Sequence, residues 1–172
     1  MSFTVRQAVR GDEQALALIG AATFLESYAG VIDGAAIVRH CAGYHTPEVY
    51  ARSLASRDEA LWLAEMAPGA APAGYLHLTA PSLPVAAEPG DVEIKRIYVL
   101  SSLRGRGAGA RLLALAEDHA RARGAGRILL GVYKQNARAL AFYERKGFVA
   151  AGEREFDVGG RVYCDWVMEK RL

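Results

Sequence analysis

Apolar and polar residues alternate from Phe3 to Val9, the period-two pattern of a strand with one buried face. Gly11-Asp12 closes it and opens a helix whose apolar positions Ala15, Leu18, Ile19 and Ala22 recur at helical spacing. The stretch Gly30 to Gly34 breaks that helix, and a second, short one is predicted over about Ala35 to Ala42. A third starts after Thr46-Pro47, with threonine as N-cap and proline at the first helical position. Ala60 to Glu65 and Gly74 to Thr79 read as strands on either side of the turn-rich MAPGAAPAG, and Ala80 to Gly90, with its prolines, reads as a loop.

The second half is patterned more sharply. Val92 to Leu100 is strand-like. Gly107 to Arg123 is a helix in which Ala108, Leu112, Leu115 and Ala116 form the buried stripe, with Glu117 and Asp118 outside it. Arg127 to Tyr133 is a strand, and Asn136 to Lys146 is a helix ended by Gly147 as C-cap. Phe148 to Asp157 and Val162 to Glu169 are strands around Gly159-Gly160, a hairpin signal. No internal repeat, low-complexity segment or linker interrupts this order. It describes one layered α/β domain over residues 1–172, most simply built on a mixed sheet.

Composition narrows the picture. A chain of 172 residues fits one domain with a sizeable core. The net charge is +2, from 21 basic and 19 acidic side chains, too little to argue for nucleic acid. Met1 to Arg10 lacks the apolar core of a signal peptide, and no run approaches the roughly 18 apolar residues that span a bilayer. Neither CxxC nor HExxH is present; His40, His45, His77 and His119 are scattered and read as surface or packing residues. Cys41 and Cys164 make no disulfide framework and read as small packing residues. The expectation is a cytoplasmic domain without a metal or a membrane partner.

The sharpest local feature is Arg104-Gly105-Arg106-Gly107-Ala108-Gly109, between a predicted strand and a predicted helix. Glycines let the backbone turn tightly and approach a ligand with no Cβ in the way. The first amides of a helix have no internal partner, and with the helix dipole they favour an anion such as a pyrophosphate. Arg104, Arg106 and Arg111 add charge at the same end. A phosphate-binding P-loop needs Gly-Lys-Ser/Thr here, whereas Gly109 precedes Ala110-Arg111. A dinucleotide fold places its differently spaced glycines early in the chain. A purely structural turn is the remaining alternative.

The spacing Arg104, Gly107, Gly109 after a strand resembles the pyrophosphate loop of GNAT N-acetyltransferases. VEIKRIYVLSSLRGRGAG is similar to that family's fourth strand running into the loop, and LGVYKQNARALAFYERKGFVAAGE to its second cofactor motif. The resemblance is close over about Asp91 to Leu172 and looser before. It implies a mixed, mostly antiparallel sheet of about seven strands flanked by helices, and transfer of acetyl from acetyl-coenzyme A to a primary amine in a ternary complex. Backbone at Ile97, Tyr98 and Val99 would pair with the pantetheine arm, and amides of Gly105, Arg106, Gly107, Ala108, Gly109 and Ala110 would wrap the pyrophosphate. Asn136 would contact the cofactor arm; it is also a good N-cap. Tyr143, seven residues on and on the same helix face, would be the general acid toward the leaving thiolate, with core packing as its alternative. An amine must lose its proton before attack. Glu93, six residues before Val99, would take that proton directly or through water; its alternative is a solvated strand residue or an ion pair with Lys95 or Arg96. An amide near Val99 would face the oxyanion.

TFLESYAG and the closing GGRVYCDWVMEKRL are similar to the PaiA-type spermidine/spermine branch. A polyamine would need carboxylates, for which Glu26, Asp33 and Glu48 stand in the right region, while Phe24 and Tyr28 would line its methylene chain. Peptide N-termini, amino acids and aminoglycoside-like amines are the other acceptors, and a domain that binds acetyl-coenzyme A without turnover is the other class of function. Homodimers are common among such folds, but nothing in this chain argues for one.

Overall fold

The computed structural model describes residues 2–158 and 161–172. In chain order the elements are β1 (Phe3–Gln7), α1 (Glu13–Tyr28), α2 (Gly34–Tyr44), α3 (Pro47–Ala55), β2 (Ala60–Met66), β3 (Ala71–Thr79), β4 (Val92–Val99), a short 3-10 turn (Ser101–Leu103), α4 (Ala108–Ala122), β5 (Arg127–Tyr133), α5 (Ala137–Arg145), β6 (Val149–Val158) and β7 (Arg161–Arg171). The strands form one mixed sheet in the order β1-β2-β3-β4-β5-β7-β6. β4 and β5 are parallel, while β1–β2, β2–β3, β5–β7 and β6–β7 are antiparallel. The expected fold class, a mostly antiparallel seven-stranded sheet flanked by helices, is the one found. The Gly159-Gly160 turn lies outside the described residues.

Local signals hold where they have a direct backbone consequence. Thr46 caps α3, its Oγ1 accepting from the Val49 amide at 3.3 Å, with Pro47 in the first turn. Asn136 caps α5, its Oδ1 accepting from the Ala139 amide at 3.1 Å. Gly147 ends α5 at φ +87°, a conformation that favours glycine. The loop between β2 and β3 is shorter than the sequence suggests, because β3 starts at Ala71 instead of Gly74. Pro72 is admitted where the register slips between Ala64 and Glu65, the kind of irregularity at which a missing N–H does least harm.

Packing groups the chain into two units, Met1–Leu78 with Arg96–Ala116, and Thr79–Lys95 with Glu117–Leu172. In the first, Leu16, Ile19, Tyr50, Leu61, Leu63 and Tyr75 are buried together. Burying a Leu or Ile side chain contributes about 1.5–3 kcal/mol. The phase of α1 differs from the expectation: Leu16, Ala17, Ile19, Gly20, Thr23 and Phe24 face inward, while Leu18 is 64% exposed. So many small apolar residues surround this helix that spacing alone leaves its phase open. Gly20 fixes it, because a Cβ there would lie 2.3 Å from His45 Nδ1 and 2.6 Å from the Tyr50 hydroxyl. Only a glycine face lets that polar pair pack on the helix.

In the second unit Leu83, Leu129 and Val167 form an apolar cluster under the loop of residues 80–90. Buried Arg127 ties that loop down. Its Nη2 donates to the Ala86 carbonyl at 2.7 Å, its Nε to Asp91 Oδ2 at 3.1 Å and its Nη1 to Glu169 Oε2 at 2.7 Å. Glu117 is also buried, contrary to the stripe read from sequence; Lys170 at 2.7 Å and Arg121 at 3.3 Å supply the charge that makes its burial tolerable. Cys41 is half-buried, but Cys164 is exposed on β7, so the packing role expected of it does not hold. Its neighbour Asp165 takes the inward position of the alternation and pairs with Arg154. Among the described residues no helix is long and apolar enough to cross a membrane, and no group of three or more His, Cys, Asp or Glu is placed to hold a metal.

Candidate functional site

In the first unit β4 delivers the chain into the glycine-rich turn. Gly105 and Gly107 take φ of +73° and +86°, and a Cβ at either would meet nothing within 4 Å. The turn is thus open as well as left-handed, which glycine alone adopts without strain. Arg106 N–H bonds back to Leu103 O at 3.3 Å, and Arg111 N–H bonds to Gly107 O at 2.9 Å as α4 begins. The amides of Ala108, Gly109 and Ala110 belong to the first turn, where no carbonyl four residues back lies within the helix. Arg106 and Arg111 are exposed and make no ion pair among the described residues. A cradle of this kind suits a diphosphate.

Arg104 is placed differently. Its Nη2 donates to Glu26 Oε2 at 2.8 Å, and its Nε reaches the Val99 carbonyl at 3.4 Å. Glu26 also accepts from the Ser101 amide at 3.0 Å and from Ser101 Oγ at 2.7 Å. The carboxylate picked out for acceptor binding therefore ties the end of α1 to the start of the turn. Asp33 caps α2 by accepting from the Ala36 amide at 3.1 Å. Glu48 stands exposed in the first turn of α3, where backbone and Thr46 hydrogen bonds hold its carboxyl below the usual range.

Ile97, Tyr98 and Val99 lie past the last residue pair of the β4–β5 ladder, which runs Val92–Ile128, Glu93–Leu129 and Ile94–Leu130. Gly74 lets β3 approach here, since a Cβ on it would lie 2.9 Å from the Tyr98 carbonyl and 3.3 Å from Val99 Cα. Val99 packs with Ala73, Leu103 and Ala108. Tyr98 faces the α1 side; its hydroxyl is 3.3 Å from that of Tyr28, and its ring stacks on Tyr75. Phe24 touches Tyr28 at 4.6 Å between centroids and stacks on His40 at 4.0 Å. The structure thus brings together Phe24, Tyr28 and Tyr98.

Sequence reasoning missed what lies beside them. His45, 6% exposed, shares a hydrogen bond of 2.8 Å between its Nδ1 and the Tyr50 hydroxyl. Its Nε2 is buried and has no hydrogen-bond partner among the described residues. Burial first, then the nearby Arg96 guanidinium, lowers the His45 pKa to about 3 and that of His40 to about 4. Both rings are neutral at physiological pH. Nothing in the spacing of scattered histidines announces this, because it arises from three helices meeting one strand. It has a consequence for stability. A histidine whose folded pKa lies below its unfolded value near 6.5 protonates first in the unfolded chain. Stability should be full above about pH 6.5 and fall below it, by up to about 1.4 kcal/mol per pH unit for each ring. The loss continues toward about 4 for His40 and about 3 for His45. Denaturant titrations between pH 7 and 4.5 check this; a flat profile would show that the rings are not held neutral.

In the second unit Glu93 is 1% exposed. Its Oε2 accepts from the Ser82 amide at 2.6 Å and Ser82 Oγ at 2.9 Å, and Lys95 Nζ lies 3.9 Å from Oε1. Asn136 is exposed at the start of α5, and Tyr143 is buried further along it, its ring against Phe142 at 5.3 Å and Phe148 at 5.6 Å.

The chain is similar to known proteins in sequence and in fold. The model of the acetyltransferase (GNAT) family matches residues 36–148. An uncharacterized N-acetyltransferase in the pepI 3' region of Lactobacillus delbrueckii subsp. lactis is 33% identical over 85 residues; the match covers 49% of this chain and 49% of that protein's length. Among solved structures, the PaiA N-acetyltransferase of Thermoplasma acidophilum in complex with coenzyme A is 22% identical, with a TM-score of 0.79 over 100% of both chains. A GCN5-related N-acetyltransferase from Rhodopseudomonas palustris is 20% identical, with a TM-score of 0.75 over 100% of this chain and 97% of that one. The ribosomal-protein-S18-alanine N-acetyltransferase of Escherichia coli is 17% identical, with a TM-score of 0.67 over 99% and 94%. The open glycine turn that leads β4 into α4 lies inside the stretch that the family model covers, and the chain belongs to the GNAT acetyltransferase family.

Proposed function

We propose that residues 1–172 act as one N-acetyltransferase domain that moves an acetyl group from acetyl-coenzyme A to an amine. The observation that carries this reading is the open left-handed turn at Gly105 and Gly107 running into the first amides of α4. The bound cofactor would supply an acetyl thioester, an acyl group already activated for transfer.

The chain's residues then have distinct tasks. Amides of residues 105–110, with Arg106 and Arg111, hold the pyrophosphate. Arg104 contributes less charge, being neutralised by Glu26. Backbone at Ile97, Tyr98 and Val99 hydrogen-bonds the pantetheine arm, and the Val99 amide faces the oxygen on which negative charge develops. Asn136 reaches the same arm through its amide NH₂, its Oδ1 being used by the cap. Glu93 receives the proton of the attacking amine through water, its carboxylate held in orientation by Ser82. The Tyr143 hydroxyl gives a proton to the departing sulfur.

The test is release of free thiol from acetyl-coenzyme A in the presence of spermidine, spermine, amino acids, short peptides and aminoglycosides. Amine-dependent release supports the reading; coenzyme A binding with no release from any of them leaves two readings, an acceptor outside this panel or a cofactor-sensing domain. Gly74→Ala probes the strand edge separately. A Cβ that meets Tyr98 O at 2.9 Å must push β4 aside. The expected cost is about 1–3 kcal/mol of stability, with weaker coenzyme A binding, read by thermal unfolding and calorimetry.

A further inference from the structure

Four arginines are buried or half-buried among the described residues: Arg96, Arg104, Arg127 and Arg154. Three have carboxylate partners, Glu26 for Arg104, Asp91 and Glu169 for Arg127, and Asp165 for Arg154. Arg96 has no ion pair and no side-chain hydrogen bond within the described residues. It stands two positions before Tyr98 on β4, so both side chains leave the same face of the strand. On that face Tyr98 stacks on Tyr75 at 6.2 Å between centroids, and Tyr75 meets His45 edge-on at 6.5 Å and Tyr50 at 6.2 Å. Thus α3, β3 and the α2–α3 connection share the face, and the Arg96 charge accordingly lowers the pKa of His40 and His45.

A guanidinium among neutral rings lacks the counter-charge that its three counterparts have. Of the acids nearby in sequence, Glu26 is committed to Arg104 and Ser101, Asp33 to the Ala36 amide, Glu59 to His77 and Glu93 to Ser82, while Glu48 stands exposed in the first turn of α3. A second group there is also unsatisfied. His45 is more than nine-tenths buried and its Nε2 has no hydrogen-bond partner among the described residues. In the tautomer that accepts at Nδ1 from the Tyr50 hydroxyl, the single proton of the neutral ring sits on Nε2 and makes it a donor. A forked cation and an N–H donor on one face match a carboxylate, which takes two hydrogen bonds from a guanidinium and has lone pairs left for a third donor. A polyamine, all cation, would meet an unpaired positive charge.

We propose that Arg96, assisted by His45 Nε2, binds a carboxylate on the acceptor, so that the enzyme acetylates amines that also carry a carboxylate, as amino acids do. This deepens the transferase reading and rests on it. No bond to Arg96 or His45 changes in the reaction; they select and hold the acceptor.

The experiment compares amino acids with their decarboxylated amines, tyrosine with tyramine and lysine with cadaverine, together with spermidine. Acetyl transfer is measured for the parent protein, Arg96→Lys and Arg96→Met, after thermal unfolding shows each variant folded. The parent should favour the carboxylated member of a pair by about 10- to 100-fold in kcat/KM. Arg96→Met should abolish the preference mainly through a raised KM for the carboxylated amines, and Arg96→Lys should restore part of it. A parent that prefers the decarboxylated amines or spermidine, or a preference that survives Arg96→Met, overturns the proposal. Calorimetric binding of tyrosine and lysine to the protein saturated with coenzyme A separates the two claims. Binding lost in Arg96→Met with no turnover of any amine would sink the transferase reading and keep the carboxylate site; no binding to the parent would sink the carboxylate site.

Discussion

Replacing Arg127 with methionine is expected to destabilise the protein by about 3–5 kcal/mol, the cost of leaving a buried carboxylate without its partner. The Asp91 side chain is 2% exposed and the Arg127 side chain 8%, so water cannot substitute for the lost guanidinium. The same change frees the Ala86 carbonyl and Glu169, which share this arginine. Denaturant unfolding at pH 7 measures the loss, and a cost below about 1 kcal/mol, the range of a surface pair, would show that the network is not holding the loop of residues 80–90. The acid limb offers a second readout. Burial pushes the Asp91 carboxyl up, but the hydrogen bonds and charge of Arg127 and the Glu88 amide outweigh it and hold it below its ordinary value. A depressed carboxyl contributes stability that is full above the unfolded pKa near 3.9 and is lost as pH falls through the folded value. The parent should therefore lose stability again below about pH 4, and Arg127→Met should show much less of that acid loss.

Tyr143→Phe should lower turnover by about 100-fold or more while coenzyme A still binds, if the hydroxyl protonates the leaving sulfur. The ring contacts with Phe142 and Phe148 survive this change, so stability should fall by no more than about 1 kcal/mol. Single-turnover kinetics with acetyl-coenzyme A and calorimetry with coenzyme A separate chemistry from binding. An unchanged rate would leave Tyr143 as a core residue that packs α5 onto the strand after it. A drop in rate together with lost coenzyme A affinity would point to a binding role instead of proton transfer.

What the sequence determined by itself is local. Thr46-Pro47 and Asn136 cap their helices through side-chain hydrogen bonds to amides three residues on. Gly105 and Gly107 mark an open turn because only glycine takes their φ without strain. The strands of the second half followed from alternation and turn residues, and the motifs they carry, VEIKRIYVLSSLRGRGAG and LGVYKQNARALAFYERKGFVAAGE, bore the family resemblance. Each of these depends on neighbours within a few positions, which a linear reading sees. Tertiary structure decided the rest. The phase of α1 depends on Gly20 meeting His45 and Tyr50. The burial of Glu117 depends on Lys170, 53 residues away, and Glu26 is drawn to Ser101 and Arg104 across more than 70 positions. The carboxylates expected to bind an acceptor serve as caps and anchors because helix ends and turns supply amides close by. The neutral histidines, and an Arg96 with no ion pair among the described residues, took shape only when His45 and α3 met the sheet face shared by Tyr75 of β3 and Tyr98 of β4. Their chemistry comes from burial and from charge acting over distance, and neither is written in the spacing of the residues that produce it.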